Sequence, residues 1–437
     1  MLLTGPATTV RWALKHGLIR HGVRRAARAG DPVAALQTDP AARADPYPLY
    51  RQLRERAPLL AGPLVCTTAR HDVATMLLRD DRFGVGFTGV QLPLGAVALT
   101  RLAEWRAPIG PVDPPSLLAV DPPLHSRLRR VVARVFTARA VEAQRPRIEK
   151  RCAELLDDLA ARGGDEPVDL VARYAALLPV TVIAEILGVP LAMRGRFLRW
   201  GAAGARTLDF GLSLREYRHA ESGVRALNGW LRGHFARLRA EPGDDLFSRL
   251  VQLDGDDRLT GDELLATAGL VLAAGFETTV NLLGTGALLL HTHPEQRELL
   301  AEEPRHWPTA VEEMLRYDSP VQTTVRISRV ATELHGVRLR PGTPVQVLLG
   351  GANRDPAVFD DPERFDITRP NARDHLSFSG GVHYCLGAAL ARLEAEIGLR
   401  ALFTRFPHLT VTGPPHRRPT RVLRGYDAIP VRLGPAA

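Results

Sequence analysis

Cysteine is scarce: Cys66, Cys152 and Cys385 are the only three in 437 residues, and they lie far apart. An odd, scattered set supports neither a disulfide framework nor a zinc cluster and points to a reducing, cytoplasmic setting. Runs of like charge are missing as well. The net charge is +9, from 57 Lys+Arg against 48 Asp+Glu. The basic residues, almost all Arg, are dispersed among acids and not interleaved with aromatics, so no nucleic acid is expected as a partner. A local basic patch for an acidic protein stays open. There is no repeat of fixed period and no low-complexity tract. The N-terminus lacks an uncharged apolar run, because Arg11, Lys15 and Arg20 interrupt it; neither a signal peptide nor a transmembrane anchor is expected there. Residues 1–30 read as a basic extension, frayed or packed on the domain that follows, with Trp12, Ile19 and Val23 on one side of a helix.

Helical patterns dominate from Pro46 to Arg316. They break between Phe83 and Ser116, where "GFTGVQLPLG" and "APIGPVDPPS" read as a binding loop or lid. From Val325 to Leu349 the sequence alternates and turns at Pro341-Gly342, so a small sheet follows the helices. The fold class is therefore mainly α with small β-sheets (α+β). The most apolar segment runs from Thr260 to Leu290, with Thr260 and Glu263 as a capping box. Its length permits a membrane span, but Glu277, Thr278, Thr279 and Asn281 at its middle would be costly in lipid. A long helix through the centre of a soluble domain is expected, and a carboxylate buried at mid-helix then needs a purpose.

The stretch "FSGGVHYCLGAALARLE", Phe378 to Glu394, sets a cysteine between a glycine-bearing loop and an amphipathic helix. Gly380 and Gly381 let the backbone bend and approach a flat partner. Leu386, Leu390, Leu393 and Ile397 share one helical face, so the sulfur falls at a helix N-terminus, where free amides and the dipole stabilise a thiolate. On this loop alone an inert buried cysteine is an equal alternative.

Written F-x-x-G-x-H-x-C-x-G, Phe378, Gly381, His383, Cys385 and Gly387 form a pattern that resembles the haem-binding loop of the cytochrome P450 family, in which a cysteine thiolate is the proximal iron ligand. Further matches lie in the expected order. "DPPLHSRLRR" carries His125 and Arg129, which the resemblance assigns to the haem propionates together with Arg326 and His383. "AAGFETT", Ala273 to Thr279, resembles the oxygen-binding kink, which places Ala274 beside haem and gives Glu277 and Thr278 a catalytic role. "VEEMLRY" carries Glu313 and Arg316, in the family a buried pair joined by a second arginine, expected at Arg364 in "DPERF". The resemblance covers roughly residue 40 to the end. One departure is Ser379, where a glycine is usual.

The resemblance implies a cytochrome P450 fold over 31–437, with haem b between the long central helix and the helix after the cysteine loop. It implies a monooxygenase that places one atom of O2 into a lipophilic polyketide, terpenoid, steroid or fatty-acid-like molecule. Electrons would come from a ferredoxin and its NAD(P)H-dependent reductase, docking at Arg129, Arg130 and Arg392, and the enzyme would act as a monomer. The pocket is expected to be lined by the irregular stretch before Ser116, the segment from Arg199 to Leu212, Ala273 to Phe276, and Val321 to Val325. A non-catalytic haem-thiolate sensor would lack the acid–alcohol pair that this chain keeps, and a peroxide-driven peroxygenase would carry other residues at the kink.

Overall fold

Thr260 opens the longest helix, Gly261–Thr292, with the reciprocal cap that its sequence predicts. Its hydroxyl accepts from the Glu263 amide, and the Glu263 carboxylate accepts from the Thr260 amide at 2.9 Å. The computed structural model describes residues 4–86, 107–163 and 166–435. Leu264, Ala268, Leu272, Val280, Leu283 and Leu290 of this central helix are buried in the main core. They meet Ile183 and Leu187 of the helix Leu177–Leu187, and Leu399 and Leu402 of the cysteine helix, Ala388–Arg405. Each fully buried leucine contributes about 1.5–3 kcal/mol. The central helix is long and apolar enough to cross a membrane, but 72% of its most apolar window is buried within the protein. A Cβ on Gly398 would stand 2.9 Å from Leu178 and 3.0 Å from Leu283, so glycine there lets the cysteine helix close on its neighbours.

The expected small sheet is present. Four strands lie in the order Cys66–Thr68, Pro344–Val347, Thr324–Ser328, Phe83–Gly84, with Cys66 opposite Val345 in parallel and Thr324 opposite Val347 antiparallel. Between them a hairpin pairs Thr332–Leu334 with Val337–Leu339. Its two-residue turn, His335-Gly336, has positive φ at both positions. Only the Pro341-Gly342 turn is legible in the sequence, because histidine is not among the usual first residues of such a turn. A second hairpin, His416–Arg417 with Tyr426–Ala428, brings the C-terminal region against the central helix.

The N-terminal segment is docked. Helices Thr4–Trp12 and Leu18–Arg28 flank a π-helical turn, Ala13–Gly17. They pack on the helix Leu214–Ala240 and the turn before it. Arg11 pairs with Glu221, Trp12 Nε1 donates to Leu212 O at 2.8 Å, and Arg20 donates to Gly211 O at 2.8 Å. The expected apolar stripe is not what is buried. Thr8, Arg11 and His16 are buried, while Ile19 and Leu18 are exposed, because hydrogen bonds and an ion pair, more than apolar area, hold this helix down.

Candidate active site

The cysteine loop folds back on itself. Gly381–His383 make one 3-10 turn, and the Cys385 amide donates to Phe378 O at 2.9 Å. Cys385 precedes the first turn of the cysteine helix, and the Gly387 amide points at its sulfur. The side chain is exposed although protein atoms crowd it, the surroundings of a residue on the floor of a recess. Burial is the largest influence on the thiol and raises its pKa, against the Gly387 amide, Arg129 and Arg392. Helix-end amides alone do not outweigh desolvation at this thiol. Gly381 has φ +64°, and a Cβ there would lie 2.3 Å from Leu78 O, so it seats the loop on the helix His71–Arg79.

Four of the expected donors gather around this recess. The His125 and His383 rings stand 4.3 Å apart, His125 buried and His383 half-buried, and His125 Nδ1 has no hydrogen-bond partner among the described residues. Burial, then His383 and Arg129, hold His125 down at about 4. Arg326 donates to Ser379 Oγ, Thr324 Oγ1 and Val325 O, and burial pushes it down to about 10 with only Asp121 opposing. Arg129 is likewise lowered by burial, with Cys385 as the counterweight. Asp121, which the sequence reading passed over, accepts from His383 Nε2 at 3.2 Å and Arg329 Nη2 at 2.8 Å. Burial alone would raise it, yet those bonds hold its carboxyl well below the usual range. Two imidazoles and two guanidiniums with one shared carboxylate leave a surplus of donors and positive charge. That surplus fits the two carboxylates of haem, and the lone thiol fits its iron.

Ser379 explains why glycine is usual at its position. Its φ is +61°, a left-handed conformation that costs a side-chain-bearing residue about 1–2 kcal/mol. In return its hydroxyl accepts from Arg326 Nη2 at 3.2 Å. Ser379→Ala, which keeps the strain and loses the bond, is expected to be less stable than Ser379→Gly by about 1 kcal/mol. Denaturant midpoints of the two variants measure this, and equal midpoints would show that residue 379 carries no such strain.

The middle of the central helix, from Leu270 to Ala287, is buried except where Ala274 is exposed and Ala273, Gly275 and Thr278 are half-buried. Thr278 Oγ1 donates to Ala274 O at 3.1 Å. Glu277 is buried and paired with Arg418 from the C-terminal hairpin. Burial raises its pKa, and Arg418 opposes the rise. This arginine lies 141 residues away in sequence, and no local signal announces it.

Several expectations are corrected. The arginine that joins Glu313 and Arg316 is Arg369, whose Nε stands 3.2 Å from Glu313 Oε2; the Arg364 side chain is exposed beside Asp366. Phe276 is fully buried, and a Cβ on Gly201 would touch its ring at 2.2 Å, so it packs the helix Arg194–Ala205 and does not line a pocket. Arg392 is not a free docking charge: it pairs with Glu312 at 2.7 Å and lies 4.5 Å over the Phe378 ring. Arg129 is turned inward, while Arg130 is exposed and bound to Asp257 at 2.7 Å. Of the irregular stretch before Ser116, residues 87–106 lie outside the described residues.

A mainly helical domain with a lone thiol among imidazoles and guanidiniums, and an acid–alcohol pair on its central helix, defines a haem-thiolate protein. The Cytochrome P450 family model matches residues 231–425. The chain is 48% identical over 431 residues to a putative cytochrome P450 140 of Mycobacterium tuberculosis, covering 98% of each. It is 40% identical over 411 residues to the 6-deoxyerythronolide B hydroxylase of Saccharopolyspora erythraea, covering 89% of this chain and 96% of the relative. The myxobacterial cytochrome P450 CYP267B1 in complex with myristic acid superposes with a TM-score of 0.82 at 35% identity, covering 91% of this chain and 99% of that one. The chain belongs to the cytochrome P450 family, whose members are monooxygenases that hold haem through a cysteine thiolate.

Proposed function

We propose that this protein inserts one atom of O2 into a lipophilic molecule of medium to large size, with electrons from a ferredoxin and its NAD(P)H-dependent reductase. The balance is R–H + O2 + 2e− + 2H+ giving R–OH + H2O. In this reading Cys385 would hold the haem iron through its sulfur, His125, Arg129, Arg326 and His383 would hold its carboxylates, and Phe378 and Ala274 would help to bind it. Residues 31–437 form the haem domain in a reducing cytoplasm, braced by the extension 1–30. A relative named for hydroxylating 6-deoxyerythronolide B and a neighbour solved with myristic acid support a lipophilic substrate. Val382 and Tyr384, exposed beside Cys385, support docking of an electron carrier on that face.

The observation that carries the proposal is the patch of exposed Ala274 and half-buried Thr278 on the otherwise buried middle of the central helix, with Glu277 buried alongside. Haem supplies electron transfer to O2 and the oxidising power for a C–H bond. The Thr278 hydroxyl, tied to Ala274 O, keeps its oxygen free to accept a hydrogen bond from the pocket side. Glu277, raised by burial with Arg418 opposing the rise, can take and return a proton. Thr278→Ala should fold normally, since alanine is the better helix former. Its product per reduced nicotinamide should fall and its hydrogen peroxide rise. Glu277→Gln should slow turnover with a smaller loss of coupling. Unchanged yield and peroxide in Thr278→Ala, measured with a real substrate and a supplied ferredoxin pair, would show that this pair does not steer protons.

A further inference from the structure

Five arginines line one narrow cleft: Arg43, Arg417, Arg418, Arg421 and Arg424. It lies between the segment before Tyr50 and the C-terminal hairpin, with Gln322 and Thr323 among its lining. No acidic residue among the described residues lines it, and its volume of about 30 Å³ suits one small polar group.

The carboxylates around these arginines are already engaged. Asp318 accepts from Arg424 Nε at 2.6 Å and stands 3.9 Å from Arg417 Nη1. Glu277 holds Arg418, with Asp427 3.2 Å from its Nε. Asp209 accepts from the backbone amides of Arg421 and Val422, and burial raises its pKa. Among the described residues, Arg43 Nε and Arg421 Nε are buried donors without an acceptor, and Arg417 Nη1 makes no hydrogen bond, with Asp318 3.9 Å away. Buried donors of one sign left unpaired around a single cleft call for an anion between them. Burial lowers Arg421, and Arg43 and Arg20 act the same way against Asp209 and Glu216, so the cations here already press on one another.

The walls lead to the site already described. Thr323 precedes the strand that carries Arg326, Arg418 grips the central-helix acid, and Arg421 Nη1 donates to Phe210 O. We propose that the cleft is a carboxylate subsite, which holds the acid end of an elongated aliphatic substrate while its apolar body runs along Val321–Val325 toward the recess. This rests on the monooxygenase reading and names its substrate class: long-chain carboxylic acids.

The test titrates the haem-loaded enzyme with tetradecanoic acid and with its methyl ester, following the Soret shift. Wild type should bind the acid about 10-fold more tightly or better, the scale of one charge-assisted hydrogen bond. Arg43→Gln should lose most of that preference and leave the ester unchanged. The Arg43 side chain makes no hydrogen bond or ion pair among the described residues, so its replacement leaves the fold intact. Arg421→Gln should behave alike. Equal binding of acid and ester by wild type, or an equal loss for both ligands in the variants, would overturn the subsite. Turnover with a supplied ferredoxin pair is scored separately. Turnover without acid preference sinks the subsite and leaves monooxygenation standing; acid preference abolished in Arg43→Gln, with neither ligand oxidised, supports the subsite and counts against the activity.

Discussion

Cys385→Ser is expected to abolish the thiolate signature in the reduced carbon-monoxide spectrum while leaving the fold largely in place. A serine hydroxyl does not ionise in this range and cannot give iron the charge of a thiolate. The side chain carries little packing: it is exposed, and the loop is held by main-chain bonds, Cys385 N to Phe378 O and Tyr384 N to Gly381 O. The spectrum, paired with haem content and far-UV circular dichroism, separates loss of ligation from loss of fold. A variant that kept the wild-type band would move the axial role to another thiol. Both alternatives are unsuited to it. Cys152 is buried in the main core with its thiol pushed up to about 12 by burial, and Cys66 is buried in a sheet strand with its thiol raised by burial.

What could be read from the sequence was the part in which local spacing maps directly onto geometry. The central helix declared itself by length, cap and apolar content. The cysteine loop, His125 and Arg129 one turn apart, and Arg326 at the head of an alternating segment each occupy short stretches, and the fold brings them to one recess. What escaped were partners supplied across the fold. Arg418 meets Glu277 over 141 residues, and Glu312 gathers His375 Nε2 at 3.0 Å and Arg392 Nε at 2.7 Å from two later segments. No periodicity records such pairings. Asp121 is a different case: it stands first in the same "DPPLHSRLRR" that carries His125, and a lone aspartate before two prolines reads as a turn residue until its two cationic partners are seen. Assigning Arg364 failed because register in an irregular loop is not periodic. The correct arginine is five residues on, and only the path of the chain decides which of the two turns inward.

That loop supplies the second large effect. Glu313 is fully buried and accepts from Arg316 Nε at 2.7 Å, Arg316 Nη2 at 2.8 Å and the Asp366 amide at 2.9 Å, with Arg369 Nε 3.2 Å away. Arg316 spends its other donors on Asn353 O, Pro362 O and Arg364 O; Arg369 spends its own on Asp360 O, Asp361 O and Arg364 O. Arg364 thus contributes its carbonyl, not its guanidinium. Because every member is satisfied, removing one strands a buried charge, at a cost of about 3–5 kcal/mol. That is a large share of the roughly 5–15 kcal/mol that holds a domain together. Glu313→Ala should therefore yield little soluble, haem-loaded protein, and Arg369→Ala should lose stability on the same scale. Arg364→Ala keeps the carbonyl and removes an exposed side chain, so it should stay within about 0.5 kcal/mol of wild type. Chemical denaturation of the three variants, with haem content as the second readout, orders them. An Arg364→Ala loss that matched Arg369→Ala would return the structural role to the arginine of "DPERF", and a Glu313→Ala protein as stable as wild type would mean that the pair is not buried at all.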